Sequence, residues 1–346
     1  MLSTTRSGGP YFDDLQVGYR LSDAPASTLT ATQAGLHQAI VGERFRLALD
    51  AELCAAVTGS PRLLVSPLLV CSVAIGQSTE VSQRVRANLF YRRLVLLRPV
   101  YVGDTLTTTT EVTGMRKNTV RAGKPATGLV VLRIQTVNQN GQSVLDFWRC
   151  PMLPLSDPTA AADRRDDVTG ADQAGEALDL DEVAAAVPAR WRLAEWCRQT
   201  PGVHGADLAP GMSQDVGGAD VVTNAPELAR MTLNLASAHY DPAASPYRRR
   251  LVYGGHTIAL AAAALTRVLP NVLTILAWRR CDHTGPVFED DVLRSRVEVD
   301  VVHPLRDGVA LCELHITTTA DSGEGTGGTL ATEARSVLDW QLVALI

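Results

Sequence analysis

Val252-Tyr253-Gly254-Gly255-His256-Thr257-Ile258-Ala259-Leu260-Ala261-Ala262-Ala263-Ala264-Leu265 is the stretch that decides the fold. It continues in the same small, apolar vein to Leu269, which predicts a helix over 256–269 entered through two glycines. A helix apolar on nearly all sides shows no polar face to water, so other structure must wrap it. Residues 67–75, Pro-Leu-Leu-Val-Cys-Ser-Val-Ala-Ile, have the same character. The chain therefore contains two such helices, and the sequence around them repeats as well.

Asp14, Leu15 and Gly18 match Asp207, Leu208 and Gly211 at an offset of 193 (207 less 14). Tyr91-Arg92-Arg93 answers Trp278-Arg279-Arg280 at an offset of 187 (278 less 91). Just beyond, Arg98-Pro99-Val100-Tyr101-Val102-Gly103-Asp104 answers Gly285-Pro286-Val287-Phe288-Glu289-Asp290-Asp291, with Asp104 in phase with Asp291. Ser143-Val144-Leu145-Asp146 recurs as Ser336-Val337-Leu338-Asp339, again at 193 (336 less 143). Turn chemistry explains one such block, not four in order at nearly one spacing.

Each half reads as a turn-rich lead, a modest helix (31–41, then 225–235), the apolar helix, and alternating segments. Those segments are 105–112, 129–137 and 144–153 in the first half, and 292–302, 309–318 and 331–345 in the second. Asn224-Ala225-Pro226-Glu227 carries a helix-start signature. Helices first and strands after predict an α+β chain, each apolar helix wrapped by an antiparallel sheet. The expected organisation is a first half at 1–155, a linker at 156–188 and a second half at 189–346. The linker is rich in Asp, Ala and Gly and has little apolar surface to bury, with a short acidic helix expected over 178–187. A second flexible loop is expected over 321–329.

At 346 residues, 46% of them apolar, the chain can fill two cores. A net charge of −5 without a basic face argues against nucleic acid as a partner. No leader-like run opens the sequence, and the apolar run at 258–265 is too short to span a bilayer, so a cytoplasmic protein without a membrane partner is expected. The six cysteines, Cys54, Cys71, Cys150, Cys197, Cys281 and Cys312, lack metal-ligand spacing and read as buried thiols; no metal site is expected.

A buried helix wrapped by an antiparallel sheet, with a Pro-Val-x-x-(Gly/Asp)-Asp turn, resembles the hotdog fold of MaoC-like enoyl-CoA hydratases. Two such halves in one chain resemble the double-hotdog members: mesaconyl-CoA hydratases (β-methylmalyl-CoA dehydratases), the hydratase domain of peroxisomal multifunctional enzymes, and a mycobacterial double-hotdog group. Ile40-Val41-Gly42-Glu43-Arg44-Phe45, Ala87-Asn88-Leu89, Ala229-Arg230 and above all Arg250-Leu251-Val252-Tyr253-Gly254-Gly255-His256 carry the match to the mesaconyl-CoA hydratase type. The likeness spans most of both halves but neither the linker nor the 321–329 loop.

The resemblance implies a hydro-lyase acting on an enoyl-CoA or 3-hydroxyacyl-CoA thioester, with coenzyme A entering as part of the substrate and no separate cofactor. The family's motif is Asp, four residues, His, one residue, Asp, and later a Gly at the start of the long helix. Here that frame holds Asn234, His239, Asp241 and Gly254, so an amide replaces the first carboxylate. Water addition to an unsaturated thioester needs a base for the water, a proton for the α carbon and donors for the thioester oxygen. The resemblance assigns the base and acid to His239 and the oxyanion donor to the Gly254 N–H; Asn234 can orient water but cannot take its proton. Asp241, Tyr253, Gly255 and His256 are expected to contact substrate.

Bland readings stand beside these: a surface turn for His239, turn chemistry for Asp241-Pro242, a core or cap role for His256, and a solvated face for Arg248-Arg249-Arg250. Asp282 and His283 are adjacent, which is weak evidence for a dyad. The first half has no histidine across 42–50 and has Ser66-Pro67 where the second has glycines, so it is expected to shape an acyl tunnel without catalysing. A non-catalytic thioester-binding protein and a hotdog thioesterase are the alternatives, since fold does not fix function. The two halves can pair within one molecule, which leaves a monomer with an internal pseudo-dimer and a homodimer both open.

Overall fold

The computed structural model describes residues 8–120, 123, 125–157, 164–166, 168, 177–321 and 334–346. Its helices are α1 (Ala31–Val41), α2 (Arg46–Leu49), α3 (Ala51–Thr58), α4 (Pro67–Gln77), α5 (Leu180–Ala185), α6 (Leu193–Gln199), α7 (Ala225–Met231) and α8 (Gly254–Val268). Four long strands follow α4: β3 (Ala87–Leu96), β4 (Thr105–Lys117), β5 (Thr127–Val137) and β6 (Ser143–Pro154). Four more follow α8: β9 (Thr274–Asp282), β10 (Val292–Arg306), β11 (Val309–Asp321) and β12 (Arg335–Leu345). Short β1 (Arg20–Leu21) and β2 (Ser27–Thr28) edge the first group, and β7 (Ser213–Asp215) and β8 (Asp220–Val221) the second.

All these strands form one antiparallel sheet, ordered β1-β4-β5-β6-β3-β9-β12-β11-β10-β7, with β2 on β4 and β8 on β10. Strands β3 and β9 join the halves: Leu94 pairs with Trp278 and Tyr91 with Cys281. Exchanging residues at the 187 offset turns one pair into the other, so a pseudo-twofold axis passes between these strands. The ion pair Arg92–Asp282 (2.6 Å) crosses the same seam. The sheet curls round α4 and α8, which touch each other and are almost wholly buried. This is the α+β architecture read from the apolar stretches.

The repeated turn residues have repeated work. Asp104 accepts from the Tyr101 N–H and Asp291 from the Phe288 N–H, each three residues back. The residue before each is left-handed, Gly103 at φ 97° and Asp290 at φ 71°. The sequence reading omits β3 and β9. Buried at the seam, they lack the polar–apolar alternation that betrays a half-exposed strand.

The helix expected over 225–235 stops at Met231. The Asn234 N–H bonds the Ala229 carbonyl and the Leu233 N–H bonds the Arg230 carbonyl, a Schellman ending with Leu233 left-handed at φ 62°. Glycine usually fills that place, because a side chain there costs about 1–2 kcal/mol.

The linker buries more than its composition suggests. Helix α5, capped by Asp179, lies inside the expected acidic helix, and Leu178, Val183 and Val187 bury with Trp191 and Trp196 against the outer face of the sheet. Val168 packs on Leu129, Val131 and Cys150. Linker residues 158–163, 167 and 169–176, and loop residues 322–329, lie outside the described residues. Five cysteines are buried, Cys197 is half-buried, and none of the six is joined in a disulfide. Among the described residues no helix is long and apolar enough to cross a membrane.

Candidate functional site

A cavity of about 220 Å³ opens at the first turn of α8. Its walls come from both halves. Asn234, His239, Tyr253, Gly254, Thr257 and His283 belong to the second; Ile75, Ser82, Arg86, Asn88, Tyr91 and Arg149 belong to the first. Among the described residues, no Asp or Glu lines it.

Local sequence places the second-half side chains. The left-handed turn at Leu233 swings the chain off α7, and the Asn234 Oδ1 accepts from the Ala236 N–H at 2.9 Å. A 3-10 turn, Ser237–His239, then carries the imidazole to the cavity wall. Two bonds clamp this loop to the first half: Leu235 N–H to Thr79 Oγ1 (2.9 Å) and Ser237 N–H to the Gln83 carbonyl (2.9 Å). At Gly76 on α4 an added Cβ would lie 1.7 Å from the Thr232 carbonyl, so only glycine lets α4 approach the end of α7.

His239 is 8% exposed. Its Nδ1 donates to the Leu251 carbonyl at 2.7 Å; a carbonyl only accepts, so Nδ1 holds the proton when the ring is neutral. Burial lowers its pKa to about 4, against a smaller opposing effect of the Leu251 bond. The ring is therefore neutral near pH 7. Its Nε2 lone pair, without a partner among the described residues, is free to accept a proton.

Asn234 is oriented by the Ala236 N–H, which takes its oxygen and leaves Nδ2, a donor only, without a partner among the described residues. Gly254 is the first residue of α8 and lines the cavity, so its N–H is one of the orphan donors of a 15-residue helix, where the dipole favours negative charge. An added Cβ at 254 would lie 2.4 Å from Nε2 of His283, so the His283 ring, rather than the backbone conformation, calls for glycine.

The expected contact residues divide. Tyr253 lines the cavity, but its hydroxyl donates to the Ser72 carbonyl on α4 at 3.1 Å. Gly255 is not in the wall; a Cβ there would meet the Tyr253 ring at 2.6 Å. Asp241 is exposed, and its Oδ1 accepts from the Ala243 N–H in a local turn. His256 is fully buried away from the cavity, and neither ring nitrogen has a hydrogen-bond partner among the described residues. Successive helical residues turn by about 100°, so two positions past Gly254 face roughly the opposite side, whereas Thr257 returns to the cavity.

Sequence reasoning missed Tyr91, Arg149 and the part His283 plays. Asp282 turns to Arg92 and Arg280, so there is no dyad. The His283 ring instead meets Tyr91 edge-on at 5.8 Å; its Nε2 is buried without a partner among the described residues, and burial lowers its pKa to about 4. Arg250 pairs with Glu289 at 2.6 Å and Arg249 lies over the Phe288 ring, away from the cavity.

Comparisons with known proteins bear on the fold and the family. No family model matches the chain. It is 29% identical to a mesaconyl-CoA hydratase from Cereibacter sphaeroides, over 90% of this chain and 89% of that protein. It is 28% identical to a β-methylmalyl-CoA dehydratase from Chloroflexus aurantiacus, over 86% of this chain and 84% of that protein. Among solved structures it resembles a conserved hypothetical protein of Mycobacterium tuberculosis with a double hotdog fold: 45% identity, TM-score 0.86, 98% of this chain and 99% of that one. A MaoC domain protein from Chloroflexus aurantiacus gives 25% identity and TM-score 0.83, with 99% of each chain covered.

Proposed function

This chain belongs to the MaoC-like double-hotdog family, and we propose that it adds water to, or removes it from, an enoyl-CoA/3-hydroxyacyl-CoA type of thioester. One observation supports this above the rest. The neutral imidazole of His239 and the first backbone N–H of α8 border one cavity. In the hydration direction, His239 Nε2 takes a proton from water as its oxygen bonds to the β carbon. The π electrons move to the thioester oxygen, which the Gly254 N–H and the helix dipole stabilise. The protonated ring then gives its proton to the α carbon, which restores the thioester. Asn234 Nδ2 holds the water by donating to its oxygen. The only carrier this scheme needs is the coenzyme A of the substrate itself. The names of the curated relatives favour a short, branched, mesaconyl-like acyl group.

Incubation with crotonyl-CoA, a longer trans-2-enoyl-CoA and mesaconyl-CoA tests this. Loss of the enoyl thioester absorbance is expected with at least one of them; no conversion of any of the three would remove the proposal. The amide at Asn234 favours a second reading, a thioester-binding protein without turnover. Tight binding without hydration, unchanged by Asn234→Asp, would select it.

A further inference from the structure

One buried nitrogen in the cavity wall has no part in the proposed reaction. His283 follows β9 directly and is pinned at the seam of the halves. Its N–H bonds the Leu89 carbonyl on β3, and the Thr284 N–H bonds the Val337 carbonyl on β12, both at 3.2 Å. The ring stands at 77° to that of Tyr91. Its Nε2 is buried with no partner among the described residues. The neighbouring Asp282 is held by Arg92 and Arg280 and does not reach for the ring. A buried ring nitrogen left unbonded costs about 1–3 kcal/mol, which a ligand in the cavity can remove.

Position says which ligand atom that is. An added Cβ at Gly254 would lie 2.4 Å from this Nε2. A Cβ stands about 2.5 Å from the nitrogen of its own residue, so Nε2 lies within about 5 Å of the Gly254 nitrogen. Two donors that share one oxygen at about 2.9 Å each can stand up to about 6 Å apart. One oxygen can therefore lie against both. Burial lowers the His283 pKa to about 4, so the ring is neutral near pH 7. A neutral imidazole still carries one N–H and can polarise a carbonyl. The first half lacks both donors together: Pro67 answers Gly254 and has no N–H, and Leu96 answers His283 and has no donor.

We infer that the His283 Nε2–H is the second donor of the oxyanion hole, meeting the thioester oxygen beside the Gly254 N–H. His283 gives up no proton in this role. Its hydrogen bond tightens as charge builds on the oxygen and relaxes when the thioester re-forms, while proton transfer stays with His239. The oxygen, which only accepts, selects the ring tautomer with hydrogen on Nε2. The inference rests on the proposed function for where the thioester lies, and not for turnover.

Butyryl-CoA labelled with heavy carbon at its thioester carbonyl isolates the claim. It is saturated and cannot be hydrated, so its infrared carbonyl stretch reads polarisation of that oxygen without turnover. Bound to the full chain, the stretch should fall below that of the free ligand. His283→Leu should lose part of that fall, and should lower kcat for a converted enoyl-CoA by about 10-fold. His283→Gln, which keeps an N–H donor, should retain more of both. His239→Ala should leave the stretch in place while turnover is lost, a split that general damage to the site does not give. In the wild type with heavy-nitrogen-labelled histidine, ligand binding should move the ring N–H signal of a neutral, Nε2-protonated histidine downfield; His239 carries its proton on Nδ1 and is told apart by that. No such response overturns the inference whether or not the variants fold. So does His283→Leu, folded by its thermal melt, that keeps the full carbonyl shift. A shift lost in His283→Leu without hydration of any enoyl-CoA removes the proposed function and leaves this inference; hydration with the shift intact in His283→Leu does the reverse.

Discussion

At an offset of 191 the two halves run through the same backbone turns. Phe45 has φ −64° and ψ 111°, and Ala236 has φ −63° and ψ 113° (236 less 45). Gly42 and Leu233 are both left-handed, and Asp50 and Asp241 each cap the next few amides. On that common frame the side chains differ. Ala48 stands at the place of His239, and Glu43 at the place of Asn234. Across the later offset of 187, Pro67 answers Gly254, Leu69 answers His256 and Leu96 answers His283.

The cavities differ in the same sense. Leu251, Val252, Thr257, Pro286 and Val287 line the second-half cavity; Leu64, Val65, Val70, Pro99 and Val100, each 187 earlier, line its counterpart. The counterpart shrinks to about 20 Å³. Ala186 from the end of the linker and Trp191 just after it help to line it, held there by Arg306 bonds to the Trp191 and Pro188 carbonyls at 3.0 Å. Glu43 turns inward to His37 Nδ1 at 3.0 Å. A duplicated scaffold can thus keep its frame while one copy loses histidine, backbone donor and open volume together.

Swapping residues between the copies tests that lesson. His239→Ala installs the first-half residue and removes the base; kcat for whichever enoyl-CoA is converted should fall by about 10³-fold. Retention of more than a tenth of the activity would mean that the base lies elsewhere.

Gly254→Pro with His283→Leu installs Pro67 and Leu96. Proline suits the first helical turn, so the fold should survive, but the N–H is gone. A loss of about 10²-fold in kcat with a nearly unchanged Tm is expected. Full activity would show that the helix terminus does not meet the developing charge.

The histidines also set the acid response. Burial lowers the pKa of His239, His256 and His283 to about 4 in the folded protein, against about 6.5 when unfolded. The unfolded chain therefore binds more protons below pH 6.5, and stability present above that pH is lost as pH falls towards 4. His256→Leu, which copies Leu69, should gain about 2 kcal/mol at pH 5 relative to pH 7.5 in urea unfolding. An equal effect at both pH values would mean that His256 does not titrate with unfolding. The same shift places the acid limb of kcat/KM near pH 4 rather than 6.5.

The smallest effect is expected at Leu233→Gly, which copies Gly42. Relief of the left-handed strain offsets the added chain entropy, so stability should change by less than about 1 kcal/mol. A loss of several kcal/mol would show that the Leu233 side chain, rather than the turn, holds the loop.

How far the sequence foretold these features depends on the residue type. Turn residues were legible because their chemistry is local: Asp104 and Asp291 bond their own turns, and Gly103 marks a left-handed step. The two apolar helices were legible because burial on all sides leaves no polar stripe. The cavity wall was not, because Tyr91 and Arg149 arrive from strands far from the motif, joined to it only by the sheet and by Thr79 and Gln83. His256 and Asp241 misled for the opposite reason. They are near the motif in sequence, yet one points into the core and the other into solvent.

A crystal structure with a saturated acyl-CoA bound would be the most direct trial. The thioester oxygen is expected about 3 Å from the Gly254 nitrogen, with the β carbon facing Nε2 of His239. A thioester seated beside Pro67 and Ala48, or lying far from the imidazole at 239, would contradict it.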